Sequence, residues 1–173
     1  MVADLTYLMG EETQEVGEME APEGELFLKF KLGNGVELAL PAVAVAEVMS
    51  IGPEKITPMP NVSPLLLGTL NLRGEIIWVA DLGQFLGEGV PLNLDRAEIP
   101  VIAVMEQQDL LLALAVDLIV GMEWLKADSV KQSQSYSQAM APFVRGVWER
   151  SDGRTVLPLL DQVAILRSNL WAA

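Results

Sequence analysis

The chain contains neither cysteine nor histidine. Without cysteine it has no disulfide framework, no thiolate metal site and no thiol nucleophile. Without histidine it lacks the most common general base, the most common transition-metal ligand and any phosphoaccepting imidazole. We therefore expect no metal and no cofactor, and any catalysis would depend on carboxylates, lysine, serine or tyrosine.

Basic residues and long apolar runs are also scarce. The chain has 11 lysines and arginines against 24 acids, a net charge of −13, which disfavours nucleic acid and anionic membrane surfaces as partners. The longest candidate apolar run, Leu110 to Val116, is far shorter than the roughly 18 residues that span a bilayer. The amino terminus has no basic region typical of a signal peptide. We expect a cytoplasmic protein without membrane insertion.

Charge is distributed unevenly along the chain. Residues 1–25 hold eight acids and no lysine or arginine. This composition predicts an acidic, disordered tail over residues 1–24, followed by a folded domain over residues 25–173. Within the tail, Leu5, Tyr7, Leu8 and Met9 form either a short docking motif or an incidental apolar group in a disordered terminus.

From Leu26 onward the hydrophobic pattern is typical of β-strands. Leu26, Leu28, Phe30 and Leu32 alternate with other residues, and Gly33-Asn34-Gly35 then predicts a tight turn into a return strand, Val36–Leu40. The other predicted strands are Ile56–Met59, Thr69–Leu72, Ile76–Ala80, Pro100–Glu106, Leu110–Asp117, Ile119–Trp124, Val144–Glu149 and Arg154–Leu159. Short strands that recur between turn signals predict barrels or a sandwich.

Two short helices are predicted to begin at aspartates. Asp81 precedes Leu82–Leu86, and Asp161 precedes Gln162–Leu170, so each carboxylate can accept hydrogen bonds from the first helical turn. Each helix follows a strand, a hairpin closed by glycine and a second strand. This weak internal repeat indicates two similar barrels in one chain.

The most informative segment lies between Glu37 and Leu86. It contains, in order, a Leu-Pro pair, Val45-Ala46-Glu47-Val48, Ile56-Thr57-Pro58-Met59-Pro60, Gly68-Thr69-Leu70-Asn71-Leu72-Arg73-Gly74, an apolar strand and Asp81-Leu82. This ordered series resembles the CheW-like family of chemotaxis coupling proteins, and the resemblance runs from about Leu26 to Leu170.

The resemblance implies a mostly β fold. It would consist of two intertwined, small, five-stranded β-barrel subdomains of the Src-homology-3-like type that share a hydrophobic core, with a few short helices including a C-terminal one. The implied function is a non-enzymatic adaptor that couples the cytoplasmic tip of a methyl-accepting chemoreceptor-type protein to the regulatory domain of a CheA-like histidine kinase. Such adaptors serve chemotaxis, phototaxis or pilus motility.

The same resemblance implies a set of partner-binding residues: Val45, Glu47, Met59, Leu70, Asn71, Arg73 and Gly74. On physical grounds Gly74 supplies the positive φ of a hairpin turn, with Arg73 at its tip. Arg73 is then either a solvated turn residue or a guanidinium that binds a partner's carboxylate or carbonyl.

Two further residues have alternative interpretations. On an alternating strand Glu47 shares a face with Val45 and Val43, so its carboxylate either lies in water at a strand end or, as the resemblance implies, lines a groove where receptor tips dock. Trp78 stands where the family usually has proline. A tryptophan on a strand is most often a core residue, whereas an exposed ring would widen an apolar contact patch.

Two other functions are alternatives for this sequence. A small carboxylate-dependent hydrolase would use Asp81 with Asp161, or Asp117 with Glu123, but helix capping explains the first pair more economically. A regulatory domain cut from a larger histidine kinase is disfavoured by the acidic tail and by the short end after Leu170. We expect no catalytic residues.

Overall fold

A computed structural model describes residues 24–107, 110–133 and 136–172. It contains ten strands and two short helices, joined by turns and brief 3₁₀ segments. The strands are β1 (Glu25–Lys31), β2 (Glu37–Pro41), β3 (Val45–Ile51), β4 (Leu66–Leu72), β5 (Glu75–Asp81), β6 (Ile99–Glu106), β7 (Leu110–Ala115), β8 (Leu118–Leu125), β9 (Val144–Glu149) and β10 (Val156–Leu160). The helices are α1 (Leu82–Phe85) and α2 (Gln162–Leu166). The predicted tail, residues 1–24, lies outside the described residues except for Gly24.

The strands form two five-stranded sheets. The first sheet has the order β8-β1-β2-β10-β9, and the second has the order β3-β6-β7-β5-β4. The whole second sheet is therefore inserted in the chain between β2 and β8, which makes the two sheets intertwined in sequence. Most neighbouring strands are antiparallel, whereas β10 runs parallel to β2 and β7 runs parallel to β5. The expected mostly-β class with two five-stranded units is confirmed.

A shared core holds the two sheets together. Its residues alternate along their strands, so each strand directs one row of side chains between the sheets. The first sheet contributes Leu28, Phe30, Leu38, Leu40 and Leu160, and the second contributes Ala80, Ile102, Val104, Leu112 and Leu114. Each large side chain buried here stabilises the fold by roughly 1.5–3 kcal/mol. Each sheet also packs a separate, smaller cluster on its other face.

Both aspartate caps are confirmed. The Asp81 carboxylate accepts hydrogen bonds from the backbone N–H of Gln84 at 3.2 Å and of Leu92 at 2.9 Å. The Asp161 carboxylate accepts from Val163 at 3.1 Å and from Ala164 at 3.2 Å. The bonds from Gln84, Val163 and Ala164 satisfy donors that the first turn of a helix leaves unpaired, and the bond from Leu92 fixes a loop residue. They explain why Asp81 is tolerated in a buried position.

The predicted elements were wrong in three places. Ile56–Met59 forms no strand, because Pro58 lacks a backbone donor, and only Thr57 bridges to β4. Strand β3 was expected only around Val45 and Glu47, whereas it runs to Ile51, and a bulge between Val45 and Glu47 interrupts its alternation. Helix α2 ends at Leu166 instead of Leu170, because the Ser168 side chain accepts from Leu170 and starts a separate 3₁₀ turn.

Candidate partner-binding site

The turn between β4 and β5 has a fixed geometry. Leu72 pairs with Glu75, which leaves Arg73 and Gly74 as a two-residue loop. Both have positive φ, 53° at Arg73 and 87° at Gly74, as expected for a tight hairpin turn. The Asn71 side chain accepts a hydrogen bond from the Gly74 N–H at 3.0 Å. The predicted role of Gly74 is confirmed, and Arg73 adopts the left-handed conformation as well.

Arg73 forms an ion pair across the second sheet. Its Nη2 atom donates to Glu47 Oε1 at 3.1 Å, and its side chain remains 80% exposed while that of Glu47 is 29% exposed. The pair connects the β4–β5 turn to the edge strand β3. An exposed ion pair stabilises a protein by about 0–1 kcal/mol. The pair therefore contributes little to the stability of the fold.

The bulge in β3 separates two residues that were expected to share a face. Val45 pairs with Val104 and packs against the shared core, whereas Glu47 pairs with Ala103 and lies on the opposite face. Ala46 is the extra residue between them. Val43 belongs to the 3₁₀ segment Ala42–Ala44 and is exposed. The expected row of Val43, Val45 and Glu47 on one face was wrong.

Met59 and Leu70 occupy different environments. Met59 is exposed, and its segment lies beside β4 because Thr57 and Thr69 exchange two backbone hydrogen bonds, both 2.8 Å long. Leu70 is only 5% exposed and packs in the core of the second sheet.

The structure thus brings Glu47, Asn71, Arg73 and Gly74 together at one corner of the second sheet. It holds the Met59 segment alongside β4 and places Val45 on the shared core. That these residues bind a partner stays a prediction.

A second feature, which the sequence did not predict, is an apolar rim on the shared core. We define the apolar rim as Val48 on β3 together with Met122 and Trp124 on β8, all exposed. Val48 pairs with Ile102 and Met122 pairs with Leu28, both of which belong to the shared core. Trp124 follows Met122 by two residues on β8 and so lies on the same face. Both β3 and β8 are edge strands. These three side chains therefore lie at uncovered edges of the two sheets, on the faces that enclose the shared core.

A third apolar surface surrounds Trp78. A cavity of about 320 Å³ is lined by Val62, Leu66, Trp78, Leu112, Leu166 and Trp171 among others. Trp171 is fixed by stacking on Phe85, with ring centroids 4.2 Å apart. Trp78 is 37% exposed and shares its strand face with the more exposed Ile76. Trp78 therefore lines an open apolar surface and is not a fully buried core residue.

The carboxylates considered for a hydrolase have other partners. Asp81 and Asp161 cap helices, Asp117 accepts from Arg96 at 3.0 Å, and Glu123 lies 2.8 Å from the Lys29 ammonium. Across the described ranges, no group of three or more carboxylates is arranged to hold a metal ion. Within those same ranges, no helix is long and apolar enough to cross a membrane.

The domain thus consists of two sheets around one core, and its notable exposed features are the β4–β5 turn and the apolar rim. Residues 26–170 match the family model described as the CheW-like domain, and the chain belongs to that family.

Relatives support the same assignment. The chain is similar to protein PilI of Pseudomonas aeruginosa, with 30% identity over 135 residues that cover 77% of this chain and 72% of PilI. It is also similar to protein FrzA of Myxococcus xanthus, with 25% identity over 147 residues that cover 85% of this chain and 88% of FrzA. The crystal structure of the scaffolding protein TtCheW from Thermoanaerobacter tengcongensis has the same fold. Its TM-score is 0.70 at 22% identity, with 87% of this chain and 97% of that chain covered.

Proposed function

We propose that this chain is a non-enzymatic, cytoplasmic signalling adaptor that couples a chemoreceptor-type sensor to a CheA-like histidine kinase in a chemotaxis or motility pathway. Family membership over residues 26–170 supports the general role. The single observation that supports a binding site here is the ion pair between the exposed Arg73, in the β4–β5 turn, and Glu47 on β3. Strand β3 is an edge strand and also carries Val48 of the apolar rim. The functional unit is the domain over residues 25–173.

The two partners fit two different surfaces. A receptor tip made of helices presents apolar residues at helical spacing, and these suit exposed apolar side chains such as Val48, Met122 and Trp124 of the apolar rim. The regulatory domain of the kinase presents a sheet-based surface, which suits the corner formed by Asn71, Arg73 and Glu47. Because Glu47 pairs with Arg73, this proposal assigns it to the kinase surface and not to the receptor groove that the resemblance implied. Stable interfaces of this kind bury about 800 Å² on each partner. The proposed kinase interface therefore extends beyond the corner to other exposed residues such as Met59.

Arg73 can bind another protein because Glu47 contacts only one of its nitrogen atoms. A guanidinium binds a carboxylate through two parallel hydrogen bonds when the geometry allows. In the free chain Glu47 contacts one terminal nitrogen of Arg73, and most of the guanidinium surface faces solvent. A partner carboxylate or backbone carbonyl can therefore bind the remaining donors or displace Glu47.

The test compares two charge reversals. Arg73→Glu alters the proposed site, and Arg154→Glu makes the same change at an exposed position near the β9–β10 turn. Affinities for a purified kinase regulatory domain and a purified receptor-tip fragment are measured by titration calorimetry. We expect Arg73→Glu to weaken at least one complex tenfold or more, and Arg154→Glu to stay within twofold of the unmodified chain. Equal binding by both variants removes Arg73 from the site, and no binding of either partner by the unmodified chain refutes the adaptor role.

A further inference from the structure

The four sheet edges differ in how they are covered. The outer edge of β4 is bridged by Thr57 through Thr69, and the outer edge of β9 is bridged by Lys131 through Val147. Among the described residues, no strand or bridge pairs with the outer edges of β3 and β8. An edge strand with free N–H and C=O groups is a template for adding another strand. Strand β8 also carries the exposed side chains of Met122 and Trp124.

The chain enters the domain at the end of β8. Gly24 has a φ of 113°, and a Cβ at this position would collide with the carbonyl group of Leu125. Glu25 then pairs with Leu125, and Leu26 pairs with Trp124. The residues that precede Gly24 are therefore attached beside the carboxyl end of β8, next to one side of the apolar rim.

The preceding sequence contains a segment that matches this edge. Leu5, Tyr7 and Met9 alternate with Thr6 and Leu8, a spacing that places three large apolar side chains on one face of an extended strand. Residues 10–23 then carry six acids and no lysine or arginine, and so favour water over an apolar surface.

The intervening length allows the segment to reach β8. A random-coil chain of 14 residues, the number from 10 to 23, has a root-mean-square span of about 20 Å. The eight residues of β8 extend over about 27 Å. A tether of this length gives an effective concentration on the order of millimolar. Weak strand pairing is therefore sufficient for binding within one chain.

We propose that residues 5–9 bind the outer edge of β8 as an added strand and cover Met122 and Trp124 with Leu5, Tyr7 and Met9. Main-chain hydrogen bonds to the free edge provide affinity, and the apolar side chains provide register. The segment then shields part of the apolar rim from other partners. This regulatory consequence rests on the proposed function, whereas the contact itself does not.

Hydrogen exchange tests the contact directly. Amide exchange is measured by mass spectrometry on the full chain and on a chain that lacks residues 1–9. We expect β8 amides to exchange about threefold to tenfold faster in the shortened chain, while β9 amides stay unchanged as an internal control for folding. Equal β8 exchange in the two chains overturns the proposal.

Point variants separate the apolar contact from the charge of the tail. Leu5→Ser with Tyr7→Ser is expected to reproduce the fast β8 exchange of the shortened chain. The matched control, Glu11→Ser with Glu12→Ser, is expected to retain slow exchange. If both double variants behave alike, the contact does not depend on the apolar segment and the proposal fails. Protection that increases with protein concentration would assign the edge to a second copy and would also overturn it.

Receptor binding distinguishes this proposal from the proposed function. If both hold, the chain lacking residues 1–9 binds the receptor-tip fragment about twofold to tenfold more tightly, because the competing segment is gone. Faster β8 exchange with unchanged receptor affinity supports the contact and removes the rim from the receptor site. Equal exchange in both chains refutes the contact whatever the receptor affinity is.

Discussion

Arg73 and Glu47 lie 26 residues apart in sequence, yet their side chains meet at 3.1 Å across the second sheet. Arg73 stands in the two-residue turn between β4 and β5, where its backbone is left-handed. Arg73 is mostly exposed to water while Glu47 is half-buried, so the guanidinium is solvated and the two charges are not strongly bound. An arrangement of this kind stabilises the fold little and remains available to a partner.

A double-mutant cycle tests this view of the pair. Arg73→Glu, Glu47→Arg and the combined swap are compared by thermal melting and by kinase-domain affinity. We expect a coupling of less than about 1 kcal/mol in stability. Binding should fall in both single variants and should not return in the swap, because the charge has moved off the turn. Full recovery of binding in the swap would show that the pair acts only to shape the fold.

The Asp81 carboxylate is predicted to stabilise the domain more than an ordinary cap. It accepts from two backbone donors, one in α1 and one at Leu92, and it is buried. Asp81→Ala leaves both donors unpaired and is expected to cost about 2 kcal/mol. Asp161→Ala, at a more exposed cap, is expected to cost about 1 kcal/mol. Urea unfolding of both variants measures the difference, and equal costs would contradict it.

Gly68 is predicted to be essential for the position of the Met59 segment. Its φ is 147°, and a Cβ would collide with the carbonyl group of Thr57, which bonds to β4 at this point. Gly68→Ala is expected to lower the free energy of unfolding by about 2–4 kcal/mol. Gly153→Ala is a matched control with positive φ and open space, and should cost about 1 kcal/mol. Similar costs would show that conformation alone, and not the contact with Thr57, is responsible.

The Glu106–Arg167 pair predicts an acid-dependent loss of stability. Arg167 donates two hydrogen bonds to Glu106, at 2.8 and 2.6 Å, which hold the pKa of the carboxyl below its ordinary 4.5. A lowered pKa in the folded state means that the contribution is complete above pH 4.5 and is lost as the pH falls through the folded value. Melting temperatures of the unmodified chain should therefore decline more steeply below about pH 4.5 than those of Glu106→Gln. Glu75→Gln, at an exposed position on β5, should keep the steep decline, and identical profiles for all three chains would contradict the prediction.

Much of the fold could be predicted from local patterns. Alternating apolar residues located most strands, and Asp81 and Asp161 marked both helix starts because a cap depends only on residues within one turn. Gly74 could be assigned to a turn for the same reason. These features are governed by the backbone and side chains of a few consecutive residues.

The features that escaped prediction depend on contacts between distant residues. The bulge at Ala46 arises in pairing with β6 and moves Glu47 to the other face of β3 from Val45. Glu47, the partner of Arg73, and the exposed Met122 both lie on edge strands. The order of strands in a sheet depends on long-range pairing and cannot be read from local sequence patterns. Leu70 lies within the motif that resembles the CheW-like family and was expected to bind a partner, yet its side chain packs in the core of the second sheet.

The central claim is that one chain holds a receptor and a kinase together. Analytical ultracentrifugation of the purified receptor-tip fragment and kinase regulatory domain, with and without this chain, tests it most directly. We predict that the two partners sediment separately without the chain and as a ternary complex with it, and that Arg73→Glu reduces the ternary fraction while Arg154→Glu does not. A chain that binds only one partner at a time, or a ternary complex unaffected by Arg73→Glu, would contradict the account.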